Sequence, residues 1–197
     1  MPENTMKYTI IPPSDFLDLP WKNGQGVTRE LMIKQTKKDA PFDWRISRAV
    51  VDRDGFFSDF SGYDRILIML EGKGMDLFCA TGENHKFRSP YDLAQFSGDA
   101  GTRATLLNGP IQDFNIMVRK DRYSASVDLF KAQGRYDLEI NATDFLIYAP
   151  EHDTFLNRPG KNEIHLPAGH LFHQTGEAKL CHSWQIQGKN MICIQIK

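Results

Sequence analysis

Short apolar runs separated by turn residues constrain the fold of this chain more than any other feature of its sequence. Long stripes of apolar residues at i, i+3, i+4 and i+7, which are typical of amphipathic helices, do not occur. Glycine, asparagine and proline lie between the runs, for example at Glu71-Gly72-Lys73-Gly74 and Asn108-Gly109-Pro110, and these residues favour turns. Short strands at regular spacing are typical of a sandwich or barrel, so the sequence predicts an all-β protein.

The division of the chain into strands and lobes follows from the same pattern. The predicted strands are residues 28–34, 43–52, 65–70, 75–80, 104–108, 113–119, 136–139, 144–148, 162–166 and 191–196. One short helix is predicted at residues 14–19, with Ser14 as its N-cap. A chain of 197 residues is long enough for two β lobes, and we expect a first lobe at residues 1–120 and a second, smaller lobe at 121–197.

Charge and composition argue against several classes of partner. Lys and Arg number 24, Asp and Glu number 25, and the formal net charge is -1, so the chain lacks the clustered positive charge that binds a phosphate backbone. We therefore expect no nucleic-acid partner. The sequence has no long apolar segment and no basic-then-apolar block at its N-terminus, which predicts no membrane partner and a cytoplasmic location. Widely spaced cysteines without a Cys-x-x-Cys pair fit a reduced, intracellular protein.

Polar side chains interrupt the expected pattern on two of the predicted strands. In one strand Arg45 and Ser47 share a face while Trp44 points to the other side, where core packing is its expected role. In a later strand Asp113 and Asn115 share a face. If a barrel turns both polar faces inward, these four polar side chains converge on one cavity. An ordinary antiparallel sheet with a wet outer face is the alternative reading of each strand taken alone.

Arg45 is the strongest candidate for ligand binding in this set. A guanidinium group donates two parallel hydrogen bonds to a carboxylate, and a buried arginine without an anionic partner is costly. Arg45 therefore needs either a protein acid, such as Asp113 or Glu30, or the carboxylate of a small ligand. An internal ion pair that only orders the barrel explains Arg45 equally well.

The segment before the first of these strands supplies further candidates. Lys22 and Asn23 add hydrogen-bond donors from a loop, and Trp21 is placed to close over a small organic ligand. Thr28 and Glu30 follow on the next predicted strand. We therefore predict a site for a small carboxylate in the first lobe. Its predicted residues are Trp21, Lys22, Asn23, Thr28, Glu30, Arg45, Ser47, Asp113 and Asn115.

Several motifs, taken in order, resemble those of the HutD/Ves family. The segments that carry the resemblance are Trp21-Lys22-Asn23-Gly24-Gln25-Gly26-Val27-Thr28-Arg29-Glu30, Phe42-Asp43-Trp44-Arg45-Ile46-Ser47, Asp54-Gly55-Phe56-Phe57-Ser58, Gly62-Tyr63-Asp64-Arg65, Leu70-Glu71-Gly72 and Gly109-Pro110-Ile111-Gln112-Asp113-Phe114-Asn115-Ile116-Met117. They span about residues 20 to 120, whereas the rest of the chain resembles the family in length and β character. Gln25 departs from the glycine that the family tends to have.

The resemblance implies a fold and a biological context. The fold is a cupin-like double β-barrel, or bicupin. The context is histidine utilisation, in which some members are proposed to regulate through a pathway intermediate such as urocanate or formylglutamate. No reaction is established for the family, so a metal-independent enzyme acting on a small organic acid, with Glu30 or Asp113 as general base, is the alternative function. A third possibility is a dimerisation module, in which residues 191–196 pair across a homodimer interface.

A cupin-like fold raises the question of a metal ion. The usual cupin site needs two histidines one residue apart, a glutamate and a third histidine, and no histidine pair occurs around residues 61–65. We therefore expect no metal in the first lobe and no cofactor. His165, His170 and His173 lie close in sequence in the second half, but no carboxylate at a fitting spacing completes a ligand set except Glu163 or Glu177. Surface or hydrogen-bonded histidines are the preferred interpretation.

Overall fold

The fold is built almost wholly from β-strands. The computed structural model describes residues 7–21, 26–37, 40–176 and 182–197, and within these residues the only helix is a 3-10 turn at Pro13–Asp15. The strands are β1 (Lys7–Ile11), β2 (Leu17–Pro20), β3 (Val27–Lys34), β4 (Trp44–Val51), β5 (Gly55–Phe56), β6 (Tyr63–Glu71), β7 (Met75–Phe78), β8 (Asn84–Phe87), β9 (Leu93–Ser97), β10 (Arg103–Leu106), β11 (Ile111–Arg119), β12 (Ala125–Phe130), β13 (Gly134–Ile140), β14 (Asp144–Tyr148), β15 (Thr154–Asn157), β16 (Ile164–Leu166), β17 (Leu171–Thr175), β18 (His182–Gly188) and β19 (Met191–Ile196). The predicted all-β class is confirmed. In the described part of the chain, no helix is long and apolar enough to cross a membrane.

The predicted strands agree with the structure, and the predicted helix does not. Every segment predicted as a strand overlaps a strand, and the bounds of β14 and β19 match the prediction. The helix predicted at residues 14–19 is wrong. Only Pro13–Asp15 is helical, and Leu17–Pro20 then pairs with β3, where Leu17 lies opposite Glu30. The hydrogen bonds that a sheet edge offers replace those of a short helix, which is marginal by itself.

The strands group into two compact units, which we name by size. The large unit is Phe16–Ser124, and the small unit combines Ala125–Lys197 with the chain up to Asp15. The first residues therefore group differently from the expected division at residue 120. The reason is that β1 pairs with β17, from Lys7 opposite Thr175 to Ile11 opposite Leu171.

The large unit contains two antiparallel sheets. One has six strands in the order β2-β3-β4-β11-β6-β9, and the other has four in the order β5-β10-β7-β8. A cluster of buried apolar side chains from both sheets forms the core of this unit. Its members are Val51, Leu67, Met69, Met75, Leu77, Cys79, Phe87, Ala94, Phe96, Ala100, Ala104 and Ile111.

The small unit repeats this plan with different strands. Its five-stranded sheet has the order β1-β17-β14-β19-β12, and its four-stranded sheet has the order β13-β18-β15-β16. The core includes Phe145, Phe172 and Trp184, whose rings lie 5.6 to 6.4 Å apart. Within this unit β12 covers one side of β19, from Ala125 opposite Ile196 to Phe130 opposite Met191.

Candidate functional site

A cavity of about 660 Å³ lies on one face of the six-stranded sheet of the large unit. Strands β2, β3, β4, β6 and β11 contribute to its wall, and residues 56–60 complete it. The lining side chains are Leu19, Pro20, Trp21, Thr28, Arg45, Ser47, Ala49, Val51, Phe56, Phe57, Ser58, Asp59, Phe60, Arg65, Asp113, Asn115 and Met117. Its size suits a small organic molecule.

The register of the central strands explains why the polar residues meet there. Ser47 on β4 lies opposite Asn115 on β11. Met117 lies between two arginines, because it pairs with Arg45 on β4 and with Arg65 on β6. Residues opposite each other in a sheet project from the same face, so these five side chains all point toward the cavity. Their sequence neighbours point to the other face.

A chain of hydrogen bonds connects three polar side chains of the cavity floor. Arg65 donates from Nη2 to Oδ1 of Asn115 at 2.8 Å, and Asn115 donates from Nδ2 to Oδ1 of Asp113 at 2.9 Å. The backbone N–H of Ala49 donates to the same Asp113 oxygen at 3.2 Å. The chain connects β6, β11 and β4, so it holds the floor of the cavity in one arrangement.

Arg65 is buried among aromatic rings. Arg65 is 5% exposed, and its guanidinium carbon lies 5.1 to 5.5 Å from the ring centroids of Phe57, Phe60 and Phe96. Burial lowers the pKa of Arg65 to about 10, against the opposing effect of Asp113. Nε and Nη1 are buried and have no hydrogen-bond partner in the described part of the protein. These two nitrogens of Arg65 are therefore donors that a bound molecule can engage.

Arg45 has a similar environment on the next side of the cavity. Its guanidinium carbon lies 5.1 Å from the ring centroid of Phe42 and 5.2 Å from that of Phe60. The one hydrogen bond of its guanidinium within the described residues runs from Nη2 to the sulfur of Met117 at 3.5 Å, and Nε is buried without a partner. Burial lowers the Arg45 pKa, and the nearby Glu30 carboxylate opposes that fall. Arg45 and Arg65 thus flank one ring, Phe60.

Two buried carboxyl groups balance these cations at a distance. Asp113 is 2% exposed, and burial raises its pKa to about 7 although Arg65 acts in the opposite direction. Glu30 is also buried, and burial raises its pKa while Arg45 partly offsets the effect. Asn115 separates Asp113 from Arg65. Among the described residues, neither arginine forms an ion pair with a carboxylate, so both guanidinium groups lack a direct anionic partner.

Trp21 is fixed at the edge of the cavity by local contacts. Its indole Nε1 donates to Oγ1 of Thr28 at 2.9 Å, and its backbone N–H donates to the carbonyl of Gly26 at 2.9 Å. A Cβ atom added at Gly26 would lie 2.9 Å from the Trp21 ring. Glycine at position 26 therefore lets the ring lie flat against the backbone beside the cavity.

The structure brings together most of the predicted site residues. The residues that line the cavity are Trp21, Thr28, Arg45, Ser47, Asp113 and Asn115. Glu30 lies opposite Ser47 on the same face of the sheet but is not among the residues that line the cavity. Lys22 and Asn23 lie outside the described residues.

Sequence reasoning missed two parts of the site. Arg65 is the first, although it directly precedes the apolar run of β6 at residues 66–70, and an arginine at the start of such a run is a usable signal. The second is the aromatic segment that ends at Phe60, whose backbone N–H donates to the carbonyl of Gly98 at 3.0 Å. A Cβ atom at Gly98 would overlap the carbonyl oxygen of Phe60, so this close approach requires glycine.

The histidines of the second half make local hydrogen bonds. His165 lies 2.7 Å from Asp153, and His173 lies 2.9 Å from the buried Asp144. Nδ1 of His170 lies 3.1 Å from the carbonyl oxygen of Ala168. These contacts support the reading of the three residues as hydrogen-bonded histidines.

One group of side chains outside the cavity has the composition of a metal site. Cys79, Glu83 and His85 place their donor atoms within 4.8 Å of one another beside the β7–β8 hairpin. Burial raises the pKa of the Cys79 thiol, which favours the neutral thiol over the thiolate that binds metals. The geometry by itself therefore gives no reason to assign a metal here.

Comparison with known proteins identifies relatives of this chain. The sequence model of the HutD family matches residues 13–194. An uncharacterized 21.2 kDa protein in the hutC 3'region of Pseudomonas putida is 33% identical over 180 residues, which cover 91% of this chain and 93% of that protein. Protein Ves of Citrobacter koseri is 38% identical over 114 residues, which cover 54% of this chain and 56% of that protein.

A solved structure extends the similarity to the fold. HutD from Pseudomonas fluorescens SBW25, solved in a formate condition, superposes with a TM-score of 0.83 and 26% sequence identity. The superposition covers 97% of this chain and 98% of that one. The predicted cupin-like fold is confirmed, and the double-barrel arrangement stays a prediction.

Proposed function

Because the chain belongs to the HutD family, as the resemblance in its sequence indicated, we propose that it is a cytoplasmic protein that binds a small carboxylate metabolite in the cavity of the large unit. Binding would serve to sense or regulate a pathway. The observation that carries this proposal is the pair of guanidinium groups of Arg65, which is buried, and Arg45, which is half-buried; both face one cavity, and no carboxylate of the described residues forms an ion pair with either. A carboxylate ligand supplies the missing anion.

The energetics of the two guanidinium groups support this proposal. Removing a guanidinium from water costs several kcal/mol, and that cost is recovered only when charged partners and hydrogen bonds are in place. Within the part of the chain that the structure describes, Nη2 of Arg65 bonds to Asn115 while its Nε and Nη1 have no partner, and Nε of Arg45 has none. A ligand carboxylate that accepts from these free donors forms the charge-assisted contacts that the protein lacks.

The walls of the cavity favour a small ligand with a flat or apolar body. Trp21, Phe57 and Phe60 line it together with the two arginines. Aromatic rings and arginine planes both pack against planar groups. We infer a ligand in which one carboxylate meets the arginines while the rest lies against the rings.

Histidine degradation supplies candidates of this kind. The relative from Pseudomonas putida lies in the hutC 3'region, which supports a link to histidine utilisation for this chain as well. An intermediate such as urocanate or formylglutamate combines a carboxylate with a short body that suits the cavity. We propose an intermediate of this class as the ligand.

One observation favours a second function, a metal-independent enzyme. A carboxyl group with a pKa near neutral is suited to act as general base, and burial raises the pKa of Asp113 to about 7 in the same cavity. Turnover separates the two functions, since an enzyme consumes the acid that it binds and a sensor releases it unchanged. Incubation of each candidate acid with the protein, followed by product analysis, measures this.

Calorimetric titration of Arg45→Ala with formate, urocanate and formylglutamate tests the binding function. A bidentate charge-assisted contact is worth roughly 1.5–3 kcal/mol, so Arg45→Ala should weaken carboxylate binding by about ten- to a hundredfold. Arg48→Ala is the matched control. Arg48 lies on the same strand, and because side chains alternate along a strand it projects from the face opposite to that of Ser47 and the cavity. Unchanged affinity for every acid, together with a large drop in the unfolding midpoint, would show that Arg45 is structural.

A further inference from the structure

From the described residues, Asp113 accepts hydrogen bonds on one oxygen alone. The backbone N–H of Ala49 and the Nδ2 group of Asn115 both donate to Oδ1. The orientation of Asn115 is fixed, because Arg65 has only donors and must face the amide oxygen, which turns the NH2 group toward Asp113. No described residue donates to Oδ2. Asp113 also lines the cavity, so Oδ2 is the atom that a ligand can engage.

Among the residues at 7–21, 26–37, 40–176 and 182–197, none is a direct counter-ion of Asp113. Arg65 contacts it through Asn115, and both Arg45 and Arg65 lie opposite Met117, two residues beyond Asn115 on the same strand. Among the described residues, Glu30 on β3 and Asp59, which lines the cavity, are further charged groups on this side of the sheet. With Asp113 almost fully buried, its carboxylate is poorly stabilised, and an anionic ligand beside it disfavours that form further.

We propose that Asp113 binds the ligand as a neutral carboxylic acid, donating a hydrogen bond from Oδ2 to an acceptor atom of the carboxylate-bearing molecule. The inference rests on the proposed function and narrows it. Binding then takes up a proton onto Oδ2, because Oδ1 is already occupied by two N–H donors. The preferred ligand is a carboxylate with a second acceptor, such as a carbonyl oxygen, a ring nitrogen or another carboxylate.

The protonation equilibrium gives this inference a direction in pH. The pKa of Asp113 is about 7 in the free protein, and a bound anion raises it further. Below about pH 7 the acid is already neutral and affinity is constant. Above that pH the proton must be taken from solution, so affinity falls by up to about tenfold per pH unit until the pKa of the complex is reached.

Two matched probes test the donor role. Levulinate is a carboxylate with a ketone acceptor, and pentanoate has the same chain length without the ketone. A hydrogen bond worth about 1.4 kcal/mol makes levulinate bind about tenfold more tightly than pentanoate near pH 6. In the wild type this preference should decline toward about pH 9, and calorimetry in buffers of different ionisation enthalpy should detect proton uptake near pH 7.5.

Two variants sharpen the test. Asp113→Asn donates from its amide at every pH, so its preference for levulinate should not depend on pH and its binding should take up no proton. Asp52→Asn removes an exposed carboxyl group that does not line the cavity, so this variant should behave like the wild type in both measurements. Equal affinity for the two probes near pH 6, or a wild-type preference that does not change with pH, overturns this inference alone. A wild-type protein that binds neither probe nor any acid tested above overturns the proposed function as well.

Discussion

Replacing Arg65 with methionine separates a ligand-binding arginine from one that only stabilises the fold. Methionine is about as long as the apolar stem of arginine, and its sulfur packs well against aromatic rings such as Phe57, Phe60 and Phe96. The substitution removes the charge and the hydrogen bond to Asn115 while it preserves the apolar contacts. It therefore tests what the charge itself contributes.

The expected change in stability follows from the environment of Arg65. The fall of its pKa from the ordinary arginine value to about 10 means that the fold opposes the charged form by about 3 kcal/mol, at about 1.4 kcal/mol per pKa unit. The lost hydrogen bond to Asn115 is worth roughly 1.5–3 kcal/mol in the opposite sense. Asp113 becomes easier to protonate once Arg65 is gone, so no charge is stranded. We expect the free energy of unfolding of Arg65→Met to lie within about 1 kcal/mol of the wild-type value or above it.

Binding should respond in the opposite way. Carboxylate affinity should fall by about ten- to a hundredfold, because the charge-assisted donors are lost. Urea unfolding followed by circular dichroism gives the first quantity, and calorimetric titration with formate gives the second. Arg48→Met serves as the control for removal of a charge elsewhere on the sheet. A loss of about 3 kcal/mol or more in unfolding free energy, with unchanged affinity, would refute the reasoning and make Arg65 structural.

Three further predictions concern the same unit. The Asp113 pKa of about 7 lies above the unfolded value of 3.8, so the folded state holds this proton more tightly. Relative to Asp113→Asn, the free energy of unfolding of the wild type should therefore fall by up to about 4 kcal/mol as the pH rises from about 4 to about 7. Urea unfolding profiles of the two proteins that stay parallel over this pH range would contradict this. Gly98→Ala should displace Phe60 and weaken both stability and carboxylate binding, whereas Gly55→Ala, which meets nothing within 4 Å, should not; equal behaviour would exclude this packing argument. Elemental analysis should find no stoichiometric transition metal, and a full equivalent that disappears in Cys79→Ser would show the expectation to be wrong.

The residue pattern of single strands predicted part of this site. Alternation along β4 and β11 assigned Arg45, Ser47, Asp113 and Asn115 to shared faces, because the two-residue period of a strand is a local property. Which strands become neighbours is not local. Nothing in the sequence of β6 indicates that it lies beside β11, so Arg65 was not joined to the others.

Local irregularities limited the prediction in other places. The pairing of β3 with β4 shifts register between Glu30 and Met32, which leaves Leu31 as an extra residue and keeps Glu30 on the cavity face. Such a bulge depends on the partner strand, and the sequence of β3 alone does not show it. The sequence predicts a helix where the short strand β2 lies for the same reason, since the conformation of this segment depends on the edge of β3 that it joins.

The shared register of β4 and β11 also determines which kinds of mutation this site can tolerate. Arg45 faces the cavity because Trp44 and Ile46, its neighbours, are fully buried on the other side. A substitution changes one side chain and leaves that assignment intact. Insertion or deletion of a single residue within either strand would instead exchange the two faces, sending the arginine into the core and tryptophan into the cavity. We therefore expect the ligand preference of this scaffold to change readily by substitution, and length changes within these strands to abolish folding and binding together.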